Sequence, residues 1–239
     1  MKACEDHLIS ARGITKSYGG LYALKGVDLV VHRGEFLSVF GPNGAGKSTL
    51  LRMLSTLSNA SSGELSIAGL NVKEDSEDIR RFIGVVSHQT FLYDDLTAEE
   101  NLRFYGKMYS IPEVTRRVRE MLFRFGLDHR RHDPVRTFSR GMQQRLAIAR
   151  ALLHEPLVLF LDEPYTGLDR QAAQLLEDTM QDFIARDGTI VMATHDLRRG
   201  LQMADRFLVL MAGSIVHQGE RDSNALQEVM DRLGNDELR

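Results

Sequence analysis

The chain has 239 residues, of which 43% are hydrophobic and 26% are charged, and its formal net charge at pH 7 is −3. This composition is that of an ordinary globular protein, and the length suits one compact unit. Because nucleic-acid binders usually carry a basic face, the slightly acidic balance excludes the commonest signature of that class, and no nucleic acid is expected as a partner.

The sequence shows none of the usual marks of a secreted or membrane-spanning protein. Its single cysteine, Cys4, rules out an internal disulfide and fits a reducing compartment. The apolar runs, such as residues 157–161, are far shorter than the roughly 20 residues that span a bilayer. Glu5 and Asp6 lie where a signal peptide would need an apolar core. We therefore expect a cytosolic chain that reaches a membrane only through a partner.

The first predicted elements are short strands and one helix. A turn at Arg33 and Gly34 separates the first two strands, and a glycine-rich loop follows the second. Helical spacing of apolar residues then predicts a helix over Lys47–Leu54. The strands are predicted over residues 27–31, 35–40, 64–69 and 83–87.

A long strand-free segment follows, and residues 97–153 are predicted to be helical throughout. Thr97 and Glu100 have the spacing of a capping box. The helix that they open carries on one face Leu102, Tyr105 and Met108. A second apolar stripe, ended by Gly126, is formed by Val114, Val118, Met121, Leu122 and Phe125. This segment predicts an inserted helical subdomain over about residues 92–153.

Strands and helices alternate again in the rest of the chain. A final strand over residues 215–218 is expected to pair back onto its predecessor, and residues after Asp222 predict a short polar helix. The alternating elements are strands over 157–161, 189–194 and 207–211 and helices over 171–185 and 197–204. The pattern predicts an α/β fold with a mostly parallel sheet covered on both faces. We expect one domain over residues 1–222 and a tail over 223–239.

The glycine-rich loop matches G-x-x-x-x-G-K-[ST] at every fixed position and lies between a predicted strand and a predicted helix. A chance glycine-rich turn would not require those two neighbours. In such a loop backbone N–H groups and the helix N-terminus hold phosphates, the lysine reaches the β- and γ-phosphates, and the serine hydroxyl binds Mg²⁺. We therefore expect ATP-type phosphate contacts from Gly41, Pro42, Asn43, Gly44, Ala45, Gly46, Lys47, Ser48 and Thr49.

Two adjacent carboxylates end the predicted strand over residues 157–161. Because side chains alternate along an extended chain, Asp162 and Glu163 point in different directions and can have different roles. Asp162 would orient the ligands of Mg²⁺, and Glu163 would polarise the attacking water. An acid pair after a strand is by itself often a helix-capping turn, but the phosphate loop favours the catalytic interpretation.

Two further candidates follow other strands. His195 lies at the carboxyl end of a predicted strand, the ligand side of an open α/β sheet, where it could donate to the γ-phosphate or to the water. Gln89 follows the strand over 83–87, and its amide could reach the metal or the water. Both are therefore candidate catalytic residues, and Gln89 is also a candidate metal ligand beside Ser48 and Asp162.

The order of these motifs resembles the nucleotide-binding subunit of ATP-binding cassette (ABC) transporters. The resemblance extends over about residues 8–219 and includes the segment FSRGMQQR at 138–145 and the turn TGLD at 166–169. It implies a P-loop NTPase fold of the ABC type, with an antiparallel β subdomain and an inserted helical subdomain. It also implies ATP and Mg²⁺ as cofactors, and a place at the cytoplasmic face of the inner membrane beside integral permease subunits.

The same resemblance implies a site shared between two copies of the chain. Ser139, Gly141 and Gln143 would cap the γ-phosphate of ATP that the phosphate loop of a second ATPase subunit holds. Tyr18 would stack on adenine, and residues 166–169 would form the dimer-contact loop. A homodimer that forms on ATP binding is the expected partner state.

The segment at 138–145 departs from LSGGQQQR, the commonest form in the family. Phe138 replaces Leu, Arg140 replaces the first Gly, and Met142 replaces the first Gln. Ser139 and Gly141 keep the hydroxyl and the closely approaching N–H. Arg140 could add a cation near the partner's phosphates or point to solvent, and Met142 removes one amide from the interface.

A narrower resemblance concerns the cargo. Residues 86–102, FSRGMQQR and DEPYTGLD together look like the ATPase subunit of the haem exporter of cytochrome c maturation. Cassettes for drug, lipid or ion efflux share much of this pattern, and a non-transport ABC ATPase of an assembly complex is the alternative from another class. Phe91, Leu92 and Tyr93 could dock on membrane subunits or belong to the core.

Overall fold

The computed structural model describes residues 7–87, 89–222, 224, 225, 227, 229 and 230. The predicted polar helix after Asp222 falls largely outside these residues. The division into a domain over 1–222 and a tail over 223–239 therefore stays a prediction.

One layer of the fold is an antiparallel sheet of four strands in the order β2-β1-β4-β5. The strands are β1 (His7–Tyr18), β2 (Leu21–His32), β4 (Ser62–Ile67) and β5 (Leu70–Asn71). The sequence predicts only parts of β2 and β4 and misses β1 entirely. The pairing of β1 with β2 contains register shifts, including one between Ala11 and Ile14. Such bulges interrupt the alternation by which a strand is recognised.

The second layer is a six-stranded sheet in the order β10-β9-β3-β8-β7-β6. Only β9 and β10 pair in antiparallel fashion, and the other neighbours are parallel. The strands are β3 (Phe36–Phe40), β6 (Ile83–Val86), β7 (Val158–Asp162), β8 (Thr189–Ala193), β9 (Arg206–Met211) and β10 (Ser214–Glu220). The predicted α/β fold with a mostly parallel core sheet and an antiparallel β layer is confirmed.

Each face of the core sheet is covered by a different hydrophobic cluster. Along β7, Val158 and Phe160 pack with side chains of the antiparallel sheet, whereas Leu159 and Leu161 pack with helical residues. Because successive side chains of a strand point to opposite faces, burial on both sides requires an uninterrupted apolar run. β7 ends at Asp162, and Glu163 follows with φ of 50°, so the alternation predicted for the two carboxylates does not extend to Glu163.

The helices are α1 (Lys47–Leu54), α2 (Ser76–Arg80), α3 (Ala98–Met108), α4 (Val114–Arg124), α5 (Arg140–Leu152), α6 (Arg170–Ile184) and α7 (Leu197–Met203). Short α2 was not predicted. The expectation of continuous helix over 97–153 is wrong in detail, because α3, α4 and α5 are separated by loops and by two short 3₁₀ turns (Asp128–Arg130 and Val135–Thr137). Pro112, Gly126 and Pro134 lie in those breaks, where a helix cannot readily continue.

The predicted start of α3 is confirmed. Thr97 Oγ1 accepts a hydrogen bond from the Glu100 N–H at 3.2 Å, and the Glu100 carboxylate accepts one from the Thr97 N–H at 2.8 Å. The predicted apolar face is only partly buried, since Met108 is 56% exposed. In the part of the chain that the structure describes, no helix is both long and apolar enough to cross a bilayer.

Candidate active site

The predicted catalytic segments meet at one edge of the core sheet. The phosphate loop follows β3, residues 194 and 195 follow β8, residues 162 and 163 end or follow β7, and Gln89 follows β6. These four strands are neighbours and parallel, so their carboxyl ends lie side by side. The carboxyl edge of an open α/β sheet is where such folds bind ligands.

The phosphate loop is held tightly against β2 and directs its lysine inwards. Gly46 precedes α1 with φ of 107°, and a β-carbon there would lie 2.6 Å from the Ala23 carbonyl oxygen, so only glycine fits. Lys47 is 7% exposed, and its Nζ donates to the carbonyl oxygens of Gly41 (2.6 Å) and Pro42 (3.1 Å). Burial lowers the pKa of Lys47, and the charges of Glu163 and Asp162 oppose that effect.

Ser48 and Asp162 form the part of the site that suits a cation. Ser48 Oγ donates to Asp162 Oδ1 at 3.0 Å, and both residues line a cavity of about 230 Å³ together with Ser87 and Gln89. Hydroxyl, carboxylate and amide oxygens are hard ligands of the kind that Mg²⁺ takes. Among the described residues there is no group of three His, Cys, Asp or Glu side chains that could hold a metal. These residues therefore fit Mg²⁺ that draws its remaining ligands from phosphates and water.

Glu163 is positioned by two residues that follow β8. Its Oε2 accepts hydrogen bonds from His195 Nδ1 (2.8 Å) and from Thr194 Oγ1 (3.3 Å). Because a carboxylate only accepts, Nδ1 must carry a hydrogen, and Nε2 is then the nitrogen left exposed towards solvent. Glu163 itself has φ of 50°, a strained backbone conformation that is common at functional sites. The sequence analysis assigned no role to Thr194. Its hydroxyl group, next to His195 at the end of a strand, is the feature that could have indicated one.

The segment from Ser139 to Gln143 begins α5. Ser139 is the N-cap, and its Oγ accepts a hydrogen bond from the Met142 N–H at 3.3 Å. Gln143 Nε2 donates to the Val135 carbonyl oxygen at 3.4 Å. Within the described part of the chain, no hydrogen bond joins Ser139, Gly141 or Gln143 to the phosphate loop. Within one molecule, the described residues of the two predicted halves of the nucleotide site are thus not hydrogen-bonded to each other.

Arg140 and Met142, the two departures that follow Ser139, have different surroundings. Arg140 is exposed, but its side chain lies against the turn at 166–169, where a β-carbon on Gly167 would come within 2.7 Å of Arg140 Nε. Met142 packs, partly buried, against the helical hydrophobic cluster. Arg140 therefore links the start of α5 to the predicted dimer-contact turn of the same chain.

Tyr18 lies at the end of β1 and is 52% exposed, with Lys16 Nζ 5.1 Å from its ring centroid.

The three apolar residues that could dock on membrane subunits differ in their exposure to solvent. Phe91 and Leu92 are partly buried, whereas Tyr93 is 48% exposed and contacts Phe104 edge to face, with ring centroids 5.1 Å apart. Of the three residues considered for docking, only Tyr93 offers a large free surface.

Comparison with known proteins identifies the family. The model of the ABC transporter family matches residues 24–166. The chain belongs to the ABC transporter family. It is 36% identical over 230 residues to a daunorubicin resistance ATP-binding protein of Streptomyces coeruleorubidus, covering 95% of this chain and 73% of that protein. It is 33% identical to a linearmycin resistance ATP-binding protein of Bacillus subtilis, covering 97% and 73%.

Solved structures of ABC proteins have the same fold. An ATP-binding subunit of an ABC transporter has a TM-score of 0.86 at 31% identity, covering 95% of this chain and 97% of that one. A dimeric ATP-binding cassette in a post-hydrolysis state, bound to ADP and Pi, has a TM-score of 0.83 at 32% identity, covering 90% and 99%. The chain is therefore an ATP-binding subunit and ATPase of an ABC transporter, which confirms the family and the activity predicted from the motifs.

Proposed function

We propose that this ABC ATPase hydrolyses ATP at sites shared by two copies of the chain and so drives export through separate membrane subunits. One observation carries the proposal: among the described residues no hydrogen bond joins the phosphate loop to Ser139, although each has the residues of one half of a nucleotide site. A second copy would supply the missing half. The dimeric state of the related cassette supports this arrangement.

The chemistry follows from the residues at the sheet edge. Lys47 and the loop N–H groups would hold the β- and γ-phosphates, and Tyr18 would cover the adenine. Mg²⁺ held by Ser48, Asp162 and Gln89 would neutralise charge that develops on the phosphates. The Ser139 hydroxyl and the Gly141 N–H, at the amino terminus of α5, would contact the γ-phosphate on the partner's loop.

Glu163 is the proposed general base. His195 and Thr194 occupy its Oε2, and Oε1 has no partner among the described residues. Oε1 is therefore the atom placed to take a proton from water as the water attacks the γ-phosphate. His195 would keep the carboxylate oriented, and its exposed Nε2, which is the acceptor nitrogen of the neutral ring, could accept a hydrogen bond from the water.

Export rather than import is proposed from the named relatives. The daunorubicin and linearmycin resistance proteins suggest a drug-like molecule as cargo. Neither is named for haem, so the narrower proposal of haem export for cytochrome c biogenesis rests on the motif resemblance alone. The membrane subunits would meet the exposed side chains of Tyr93, Phe104 and Met108, here called the aromatic patch. That contact would place the chain peripherally at the cytoplasmic face of the membrane.

Glu163→Gln tests the shared site. We expect turnover to fall by roughly 10²- to 10⁴-fold, the usual contribution of a positioned base. ATP binding should persist, so uncleaved ATP should trap the dimer. Light scattering after size-exclusion chromatography should detect a dimer with MgATP and a monomer with MgADP.

Adding Ser139→Arg to Glu163→Gln is the control. The double variant should bind ATP but remain monomeric, because only the capping half of the site is blocked. Wild-type turnover in Glu163→Gln would contradict the proposal that Glu163 is the general base. A monomer of Glu163→Gln at saturating ATP would reject the shared site.

A further inference from the structure

Helix α5 contains a buried arginine without an acidic partner. Arg150 is 8% exposed, and no carboxylate within the described residues lies close enough to form an ion pair with it. Arginine keeps its charge in proteins and is almost never buried without a counter-charge. The position therefore needs an explanation other than a salt bridge.

Carbonyl and aromatic groups hold this guanidinium in place. Arg150 Nη2 donates to the Val85 carbonyl oxygen at 2.6 Å. The Arg150 Cζ atom lies 5.4 Å from the centroid of the Phe91 ring and 5.1 Å from that of the Tyr105 ring. Arg150 Nε has no hydrogen-bond partner among the residues that the structure describes. Removing a charge from water is costly, and a well-packed apolar residue is often as stable or more stable at such a site. Folding stability alone does not account for an arginine here.

The contacts of Arg150 bracket Gln89. Val85 belongs to β6, which leads into Gln89, and Phe91 lies two residues after Gln89. The Phe91 carbonyl oxygen also accepts a hydrogen bond from the Tyr105 hydroxyl. Phe91 has φ of 53°, an unusual conformation for a bulky residue that its surroundings must hold. Val85 and Phe91 are the two ends of a stretch here called the Gln89 segment. Both ends thus contact the Arg150 side chain.

The attachment is close because β6 is the outer strand of the core sheet and α5 packs directly against it. A β-carbon on Gly84 would lie 2.4 Å from the Ala151 carbonyl oxygen, so the two backbones are in contact. The residue that α5 presents at its other end is Ser139, its N-cap. One rigid helix therefore carries Ser139 at its start and holds the Gln89 segment near its end.

We propose that Arg150 is a positioning residue that fixes Gln89 relative to Ser48 and Asp162 and makes it move with the Ser139 end of α5. The inference rests on the proposed role of Gln89 as a ligand of the metal or the water. Arg150 does not touch the nucleotide site. It acts by holding Val85 and Phe91, so that closure at Ser139 and placement of the Gln89 amide are one event.

Arg150→Met tests this role, because it keeps the volume and removes the charge and the donor. We expect kcat for ATP to fall at least about tenfold, since a misplacement of about 1 Å can cost a hundredfold, while KM changes far less. The melting temperature should not fall. Arg150→Lys keeps the charge and a donor group but not the planar guanidinium. Its kcat should therefore lie between that of the wild type and that of Arg150→Met.

A double-mutant cycle with Gln89→Ala separates positioning from packing. If Arg150 acts through Gln89, adding Arg150→Met to Gln89→Ala should change kcat by less than about twofold. Additive losses, or wild-type kcat in Arg150→Met, would overturn the inference. If Arg150→Met does not fold, the same cycle with Arg150→Lys tests whether Arg150 acts through Gln89. Normal turnover in Gln89→Ala alone would instead reject the role of Gln89.

Arg117→Met is the matched control. Arg117 also donates from its guanidinium to backbone carbonyls of this region, those of Leu153 (3.1 Å) and Leu152 (3.3 Å). Within the described part of the chain, its hydrogen bonds and ion pairs join it to residues outside the Gln89 segment. We expect wild-type kcat, and a loss equal to that of Arg150→Met would show that any arginine clamp on α5 has the same effect and would overturn the specific role.

Discussion

At the scale of single residues, burial decides the charge state of His154. The ring stacks on Tyr109 with centroids 4.0 Å apart, and Nε2 lies 2.9 Å from the Ile83 carbonyl oxygen. Burial, aided by the charge of Arg150, lowers the pKa of His154 from 6.5 to about 4, although the hydrogen bond to Ile83 opposes it. The histidine is therefore neutral in the folded chain at physiological pH.

This shift predicts an acid-sensitive contribution to stability. Between pH 6.5 and about 4 the unfolded chain binds a proton at this histidine that the folded chain does not bind. The stabilisation is complete above this window and decreases as the pH falls through it. Between pH 7.5 and 5.0 the loss should be about 2 kcal/mol in the free energy of unfolding. Urea unfolding of wild type and His154→Phe should show a smaller loss in the variant, by that amount.

His132→Phe is the control for this prediction, because the His132 side chain is 72% exposed. Its loss of stability between the two pH values should equal that of the wild type. An equal loss in wild type and His154→Phe would contradict the argument.

At the scale of elements, α3 combines a buried anchor with an exposed apolar surface. Asn101 is fully buried, accepts a hydrogen bond from the Tyr93 N–H at 2.8 Å, and donates to the Tyr93 carbonyl at 3.0 Å. It thereby fixes Tyr93 against Phe104 and builds the aromatic patch beside the Gln89 segment. A rigid, exposed apolar surface of this kind is typical of an interaction site.

Phe104→Glu should weaken attachment to the membrane subunits. Replacing an aromatic anchor in an interface costs about 2 kcal/mol or more, roughly a thirtyfold loss of affinity. Because Phe104 is 43% exposed in the free chain, folding should be little affected. The fraction of the chain that sediments with membranes, or co-purifies with membrane proteins, is the measurement.

Phe123→Glu on α4 is the matched control, since Phe123 is 79% exposed and lies outside the aromatic patch. It should sediment with membranes like the wild type. Equal sedimentation of both variants would remove the aromatic patch as the docking surface, and a stable soluble complex in place of membrane attachment would favour the non-transport alternative.

At the scale of the whole molecule, the proposed sharing of each nucleotide site between two copies predicts complementation between two inactive chains. Lys47→Ala disables the phosphate loop and Ser139→Arg disables the cap. In a two-fold dimer each site uses one element from each subunit, so a mixed dimer keeps one intact site. An equimolar mixture should recover about a quarter of wild-type turnover, because half of the dimers are mixed and half of their sites work.

The measurement is steady-state ATP hydrolysis of each variant alone and of the mixture. Each variant alone should be inactive. A mixture no more active than its components would indicate that each site lies within a single chain.

Much of this protein was determined by local sequence. The phosphate loop, Asp162 with Glu163, the capping box at Thr97 and the apolar strands β3, β7 and β8 follow from contiguous patterns, because neighbouring residues alone set their turn, cap and alternation chemistry. β1 was missed because its bulges are specified by pairing with β2, not by its own pattern. The breaks between α3, α4 and α5 were underestimated because helical spacing alone does not locate their ends.

The roles of Thr194 and Arg150 were decided only by the tertiary structure. Thr194 and Glu163 follow neighbouring strands, and Arg150, Val85 and Phe91 come from a helix, a strand and a loop that are distant in the sequence. Such contacts depend on strand order and on the packing of α5 against β6, which no local pattern encodes. The sequence determined the chemistry of the ATPase. The fold determined which side chains hold that chemistry in position, because positioning requires contacts between segments that meet only when the chain is folded.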